Sequence, residues 1–137
     1  MGEDGRMTDS HVLHIAAALI TDEQDRYLLV RKRGTTAFMQ AGGKIEPGEQ
    51  PDAALVREIA EELSIEVPAA ALRPLGVREA AAANEPGFRL TAHVYAIDGV
   101  RGDVVPTAEI EEALWVDRDQ AAALPLAPLT AELLGLV

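Results

Sequence analysis

Residues 43–65 read GKIEPGEQPDAALVREIAEELSI, and no other stretch restricts the chain as much. A glycine turn runs into a segment where Pro51 suits the first helical turn. Acidic Glu49 and Asp52 sit near the positive end of the helix dipole. The spacing predicts a helix over 51–63. Successive side chains rotate by about 100° in a helix, so Leu55, Val56, Ile59, Ala60 and Leu63 are expected to face a core. Glu58, Glu61 and Glu62 fall on the other side, within an arc of about 100°, with Arg57 at its edge. Glu58 stands three residues before Glu61 and four before Glu62, and each like-charged pair at such spacing costs ~0.2–0.5 kcal/mol.

A solvated acidic face is the ordinary reading of such a helix. A merely solvated face would interleave lysine at the fourth position, and this one has none. Clustered carboxylates beside a glycine loop suit a hard divalent cation, which prefers oxygen ligands. Mg2+ binds through a few carboxylates and keeps its remaining sites for water and phosphate oxygens. The overall charge fits that picture: 23 acidic and 12 basic residues give a net charge of −11. Such a surface repels nucleic acid polymers and anionic membranes, so no DNA, RNA or membrane partner is expected. A metal ion would reconcile the same charge with a small anionic substrate.

The chain of 137 residues is 48% hydrophobic, which points to a single domain over 1–137 with a real core. Only 4% of it is aromatic, so Ala, Leu, Val and Ile must build that core. No apolar run is long enough to cross a bilayer. The absence of cysteine removes disulfides, thiolate zinc sites and cysteine nucleophiles, and a cytoplasmic location is expected. The opening MGEDGRMTDS lacks an apolar signal core; residues 1–10 are expected as a flexible tail, with Met7 as an alternative start. Residues 11–21 read as a buried strand, DEQD as a turn and residues 26–34 as a second strand, so the two form a hairpin. Residues 35–50 read as a loop. Strands are expected over 72–83, 88–99 and 112–117, with a turn at NEPG. Residues 118–125 and 129–137 read as short helices. The fold class is α/β, a mixed sheet flanked by helices.

Gly43, Glu49, Arg57, Glu58, Ile59, Glu61, Glu62 and Ile65 stand at the spacings of the Nudix box: Gly, five residues, Glu, seven residues, Arg-Glu, apolar, any, Glu-Glu, any, Gly, apolar. The stretch therefore resembles the Nudix hydrolase family. Ser64 departs from the pattern, where glycine is usual, and Ala41 in AGGK stands where many members have proline. The resemblance implies an α/β/α sandwich with the mixed sheet between helices. It implies hydrolysis of a nucleoside diphosphate linked to another group, such as a nucleoside triphosphate or nucleotide sugar. Water would attack phosphorus, with Mg2+, or Mn2+ in its place, stabilising the departing phosphate. Carried over residue by residue, Glu58, Glu61 and Glu62 would bind metal, and the Gly43 carbonyl would add a ligand. Arg57 would orient Glu61 or Glu49, and Glu49 could itself act near the metal. The general base stays open between a box glutamate and a later loop, where Glu109, Glu111 and Glu112 are available; Glu112 and Glu61 are carried as candidates. A domain that senses a nucleotide without cleaving it is the alternative, and the intact glutamates favour the hydrolase. A homodimer stays open.

Weaker signals follow. Strand alternation sends Arg31 and Arg33 to one face and Lys32 to the other. Arg31, Arg33 and Lys44 are candidates for holding substrate phosphates, set against a solubilising strand end. Phe38 and Phe88 could stack on a base or pack in the core; Phe88 is carried as the substrate-binding candidate. Trp115 is expected in the core, and the lone His14 and His93 are expected to be structural. Ala80 to Ala83 stand where some related enzymes carry a substrate-marking proline or tyrosine, so the nucleotide itself is not specified.

Overall fold

The computed structural model describes residues 11–137, and the expected tail lies outside them. Strand β1 (Val12–Asp22) is the axis of the fold. It is covered on both faces: Ala16, Ala18 and Ile20 belong to one apolar cluster, Ile15 and Ala17 to another. A strand buried on both sides reads as an unbroken apolar run, and IAAALI does. Its far end turns into β2 (Tyr27–Lys32) as an antiparallel hairpin, with Thr21 opposite Tyr27. Asp22 holds that turn, its Oδ1 accepting from the backbone N–H groups of Gln24 and Arg26, both at 2.9 Å.

Beyond this pairing the two strands diverge. The first half of β1 instead pairs antiparallel with β3 (Ala41–Lys44), Ile15 opposite Lys44 and Ala18 opposite Ala41. The chain continues through a single 3₁₀ turn (Ala69–Ala71) into β4 (Arg73–Ala81). Strand β5 (Arg89–Val100) pairs parallel with β1 and antiparallel with β4. Strand β6 (Ile110–Val116) pairs antiparallel with β2. The sheet is mixed, in the order β4-β5-β1-β2-β6 with β3 on β1.

Helix α1 (Pro51–Leu63) packs Leu55, Ile59 and Leu63 against the Ala16, Ala18 and Ile20 face. Burying each of these side chains contributes roughly 2 kcal/mol. Helix α2 (Arg118–Ala122) is short and capped by Asp117 and Gln120, whose side chains bond each other's backbone N–H groups. Helix α3 (Pro128–Leu133) sets Leu129 against Ile15 and Ala17 on the opposite face. Helices on both faces make the expected α/β/α sandwich. Among the described residues, no helix is long and apolar enough to cross a membrane.

Two local expectations fail. AGGK, expected within a loop, is strand β3. Glycine has little intrinsic strand preference, but here its missing Cβ is what allows close pairing: at Gly42 (φ 136°) a Cβ would overlap the carbonyl oxygen of Ala16. The second correction concerns α1. Ala60 is exposed and Glu62 is only 2% exposed. At about 100° per residue Glu62 lies only ~20° from Leu55 on the helix circumference, so the packing that buries Leu55 also buries this carboxylate.

Ser64 closes α1 in the left-handed region, φ 59° and ψ 33°, its N–H donating to the Ala60 carbonyl. This is the conformation in which glycine is preferred. Residues 105–107 then tie down the helix end. The N–H of Thr107 bonds the Glu62 carbonyl at 2.8 Å and that of Val105 the Leu63 carbonyl at 3.1 Å. The Thr107 hydroxyl donates to the Glu61 carbonyl. Carbonyls that the helix leaves without partners are thereby satisfied. Ser64→Gly would relieve about 1 kcal/mol or less of backbone strain and lose the bond from Ser64 Oγ to Val105 O, 3.3 Å. Thermal or denaturant unfolding is expected to change by no more than about 1 kcal/mol, with turnover within a few-fold of the parent. A large gain in turnover at unchanged stability would show that this position acts on the chemistry.

Candidate metal and phosphate site

The carboxylates of α1 meet β3 at its glycines. Gly43 lies so close under Glu58 that an added Cβ would stand 2.6 Å from both carboxylate oxygens. One helical turn on, Glu62 Oε1 accepts from the Gly42 N–H at 3.2 Å. Glu62 has no cation within ion-pair distance among the described residues. Burial pushes its pKa up to about 8; the Gly42 N–H and the charge of Lys32 oppose the shift, and the charges of Glu58 and Glu109 add to it. Glu58 is shifted the same way, first by burial and further by Glu61 and Glu109, with Arg57 opposing.

Arg57 organises the other side of the cluster. Its Nε and Nη2 donate to Glu49 at 2.8 and 2.9 Å, a two-pronged contact that fixes both planes. Its Nη1 donates to Glu58 at 3.0 Å and its Nη2 to the Lys44 carbonyl at 3.2 Å. Glu61 stands farther off, 3.6 Å from Nη1. Of the two residues that Arg57 was expected to orient, Glu49 receives the hydrogen bonds. These bonds, with help from the Glu46 N–H, hold the Glu49 pKa down at about 2, while Glu49 in turn raises that of Arg57.

Among the described residues no three His, Asp or Glu side chains already surround a common point. Arg57 holds the Glu49 and Glu58 carboxylates through hydrogen bonds. The donor set nonetheless fits a hard divalent ion. The candidate donors, Glu58, Glu62, Glu61 and the Gly43 carbonyl, would offer oxygen only, with no nitrogen or sulfur, as Mg2+ chemistry favours. A buried carboxylate without a cation is costly, and Glu62 is one.

A cleft of about 100 Å³ opens beside this cluster. Lys32, Lys44, Gly42 and Gly43 line it, together with the apolar side chains of Leu90 and Leu129. Lys44 was expected at the substrate and does line the cleft, its Nζ 3.8 Å from Glu85. Lys32 was passed over for its two arginine neighbours, yet it is the member of that trio in the cleft. Arg31 points elsewhere, donating to Glu112 at 3.2 Å and to the Thr35 carbonyl at 2.9 Å, over the Phe38 ring. Arg33 pairs with Glu111 at 3.6 Å. Glu112 is thus engaged by Arg31, and Glu109 is the residue of its group whose charge bears on both Glu58 and Glu62. Glu109 also pairs with Lys32 at 3.4 Å. Phe88 meets His11 edge-on, ring centres 5.4 Å apart, and is not part of the cleft wall. Gln40, a cleft residue buried to 7% exposure, gave no signal in the sequence, where it is one polar residue between Met39 and Ala41.

Comparison with known proteins agrees with this arrangement. The NUDIX domain family model matches residues 11–136. The chain is 30% identical over 128 residues to the CTP pyrophosphohydrolase of Escherichia coli, covering 90% of this chain and 89% of that protein. It is 38% identical over 65 residues to the 8-oxo-dGTP diphosphatase of Proteus vulgaris, covering 44% of this chain and 58% of that one. The crystal structure of a MutT NUDIX hydrolase from Burkholderia pseudomallei superposes with a TM-score of 0.76 at 25% identity, covering 92% of this chain and 98% of the other. With the box glutamates gathered at the glycines of β3 and a family match running almost end to end, the chain belongs to the Nudix family and is a Nudix hydrolase.

Proposed function

We propose that the protein is a Mg2+-dependent pyrophosphohydrolase of the cytoplasm, acting on a small nucleotide in which a nucleoside diphosphate is linked to another group. One observation carries the reading: Glu62 is a carboxylate 2% exposed, one turn from Glu58, with a single backbone donor and no paired cation among the described residues. The Gly42 N–H and the more distant charge of Lys32 offset that burial only in part, and a divalent ion would complete the compensation. Glu58, Glu62 and the Gly43 carbonyl would hold the ion, with Glu61 completing the set. The ion neutralises phosphate charge and lowers the pKa of water when bound. Nudix relatives whose names state an activity, a CTP pyrophosphohydrolase and an 8-oxo-dGTP diphosphatase, support a nucleotide as substrate.

The chain's own residues take the remaining roles. Lys32 and Lys44 bring positive charge to the cleft where phosphates would lie. Arg57 keeps Glu49 ionised and fixed beside the turn that carries Gly43. A carboxylate oxygen of Glu109, 3.4 Å from the cleft residue Lys32, is assigned the proton of the attacking water. Water then adds to phosphorus as the bridging P–O bond breaks, leaving two phosphate-bearing products.

A panel of nucleoside triphosphates and nucleotide sugars, scored for phosphate-bearing products, tests the reading. Hydrolysis of at least one member is expected with Mg2+ or Mn2+ and is expected to vanish with chelator. Full turnover in excess EDTA, once removal of metal is verified by elemental analysis, would exclude the metal-dependent reaction.

A further inference from the structure

Gln40 lines the cleft although only 7% of it is exposed. Its partner is Thr130 of α3, 1% exposed. The Gln40 backbone N–H donates to Thr130 Oγ1 at 3.2 Å, and Thr130 Oγ1 donates to Gln40 Oε1 at 2.6 Å. A separation of 2.6 Å belongs to O–H···O bonds and is short for N–H···O. The carboxamide oxygen therefore meets the hydroxyl, and the single hydroxyl hydrogen is used there. This leaves the carboxamide nitrogen, with its two N–H donors, turned away from Thr130.

Among the described residues that nitrogen donates to no protein atom, and no sealed side-chain nitrogen or oxygen lacks a partner. The amide nitrogen therefore opens on the cleft. The cleft wall includes apolar Leu13, Leu90, Leu129 and Ala82, together with Lys32, Lys44, Asn84 and Glu85. Fixing a buried amide costs side-chain entropy and desolvation, and among the described residues no other protein group uses the donors. A neutral donor beside apolar side chains suits a flat uncharged ring that carries a carbonyl oxygen. A phosphate would call for charge.

We propose that Gln40 is a specificity-determining residue whose side-chain nitrogen donates to a ring carbonyl oxygen of the substrate's nucleobase, with Thr130 as the positioning residue that fixes the amide. The proposal rests on the nucleotide-hydrolase reading given above. It favours cytosine, uracil or guanine over adenine, which has no carbonyl and offers the Gln40 donor only ring-nitrogen acceptors.

Steady-state kinetics with CTP, UTP, GTP and ATP tests it. The parent is expected to prefer at least one carbonyl-bearing base over ATP by about ten-fold in kcat/KM, as loss of one buried hydrogen bond implies. Gln40→Leu is expected to collapse that preference, mainly through KM. Thr130→Val should do so in part, and Thr130→Ser, which restores the hydroxyl, should recover it. A purely structural role would lower stability and move all four nucleotides together. An unchanged base ranking in Gln40→Leu, with turnover continuing, overturns the proposal. A binding measurement on the unmodified protein separates this failure from failure of the hydrolase reading. In NMR titrations with CMP, UMP, GMP and AMP, the Gln40 side-chain amide signals are expected to shift with a carbonyl-bearing nucleotide and far less with AMP. No differential shift at saturation would overturn the assignment even if hydrolysis is found.

Discussion

Glu62→Gln and Glu58→Gln are each expected to reduce turnover by at least ~100-fold at saturating Mg2+, the scale on which other preorganised electrostatic groups act. Glutamine keeps the shape and removes the charge. In Glu62→Gln the side-chain oxygen can still accept from the Gly42 N–H, so packing around Leu55 and Ile59 is undisturbed. Stability gives a second, independent readout on protein stripped of metal. Burial raises the Glu62 pKa from 4.5 to about 8, so the folded state keeps a proton that the unfolded chain has lost. Stability of the parent therefore falls as pH rises from about 4.5 to about 8. Glu62→Gln is free of that loss. It is expected to be more stable than the parent at pH 8, by on the order of a few kcal/mol, with the gap closing towards pH 5. Glu112→Gln, whose carboxylate meets Arg31 at 3.2 Å away from the cleft, is expected to be mild by comparison. Near-parental turnover in both box variants, on a substrate the parent cleaves, would show that the helix only presents a solvated acidic face.

The parts of this molecule legible in the sequence are those where local chemistry and tertiary packing agree. Pro51, the apolar spacing of Leu55, Ile59 and Leu63, and the left-handed closure at Ser64 all act within one helix, and α1 spans the expected residues. The hairpin of β1 and β2 follows from DEQD between two apolar runs. Strand β3 was illegible because its stability comes from Ala16 and Ala17 across the sheet, while its own glycines favour a loop. The burial of Glu62 was hidden for a related reason. Counting charges on one arc treats the helix as solvated, whereas its neighbours Leu55 and Ile59 pull that arc into the core. Lys32 and Arg31 show the limit of strand alternation: it separates their faces correctly but does not say which face the cleft occupies. Gln40 and Thr130 are 90 positions apart, and nothing local links an isolated glutamine to an isolated threonine.

Neighbouring glycines of β3 are expected to fail in opposite ways when each is replaced by alanine. At Gly42 the backbone has φ 136°, and a Cβ would overlap the carbonyl oxygen of Ala16, a main-chain atom at the centre of the sheet. Moving β3 breaks its pairing with β1, and moving β1 also disturbs its pairing with β5. Gly42→Ala is therefore expected to lose several kcal/mol, about 4 or more, and to lower the melting temperature by roughly 10 °C or more. Gly43 has no such backbone obstacle; its Cβ would meet the Glu58 carboxylate, with both oxygens at 2.6 Å. That carboxylate is the end of a flexible side chain and can swing aside, so Gly43→Ala should fold with little loss. The displaced Glu58 would leave its place against Gly43, and turnover should fall by ~100-fold, as for removal of the Glu58 charge. Combining Gly43→Ala with Glu58→Gln tests the route, because two changes acting through one carboxylate should not multiply. Turnover of Gly43→Ala near that of the parent, or a fully additive double variant, would show that the close approach of Gly43 to Glu58 has no part in the chemistry. A Gly42→Ala protein as stable as the parent would show that β3 can rearrange freely on β1.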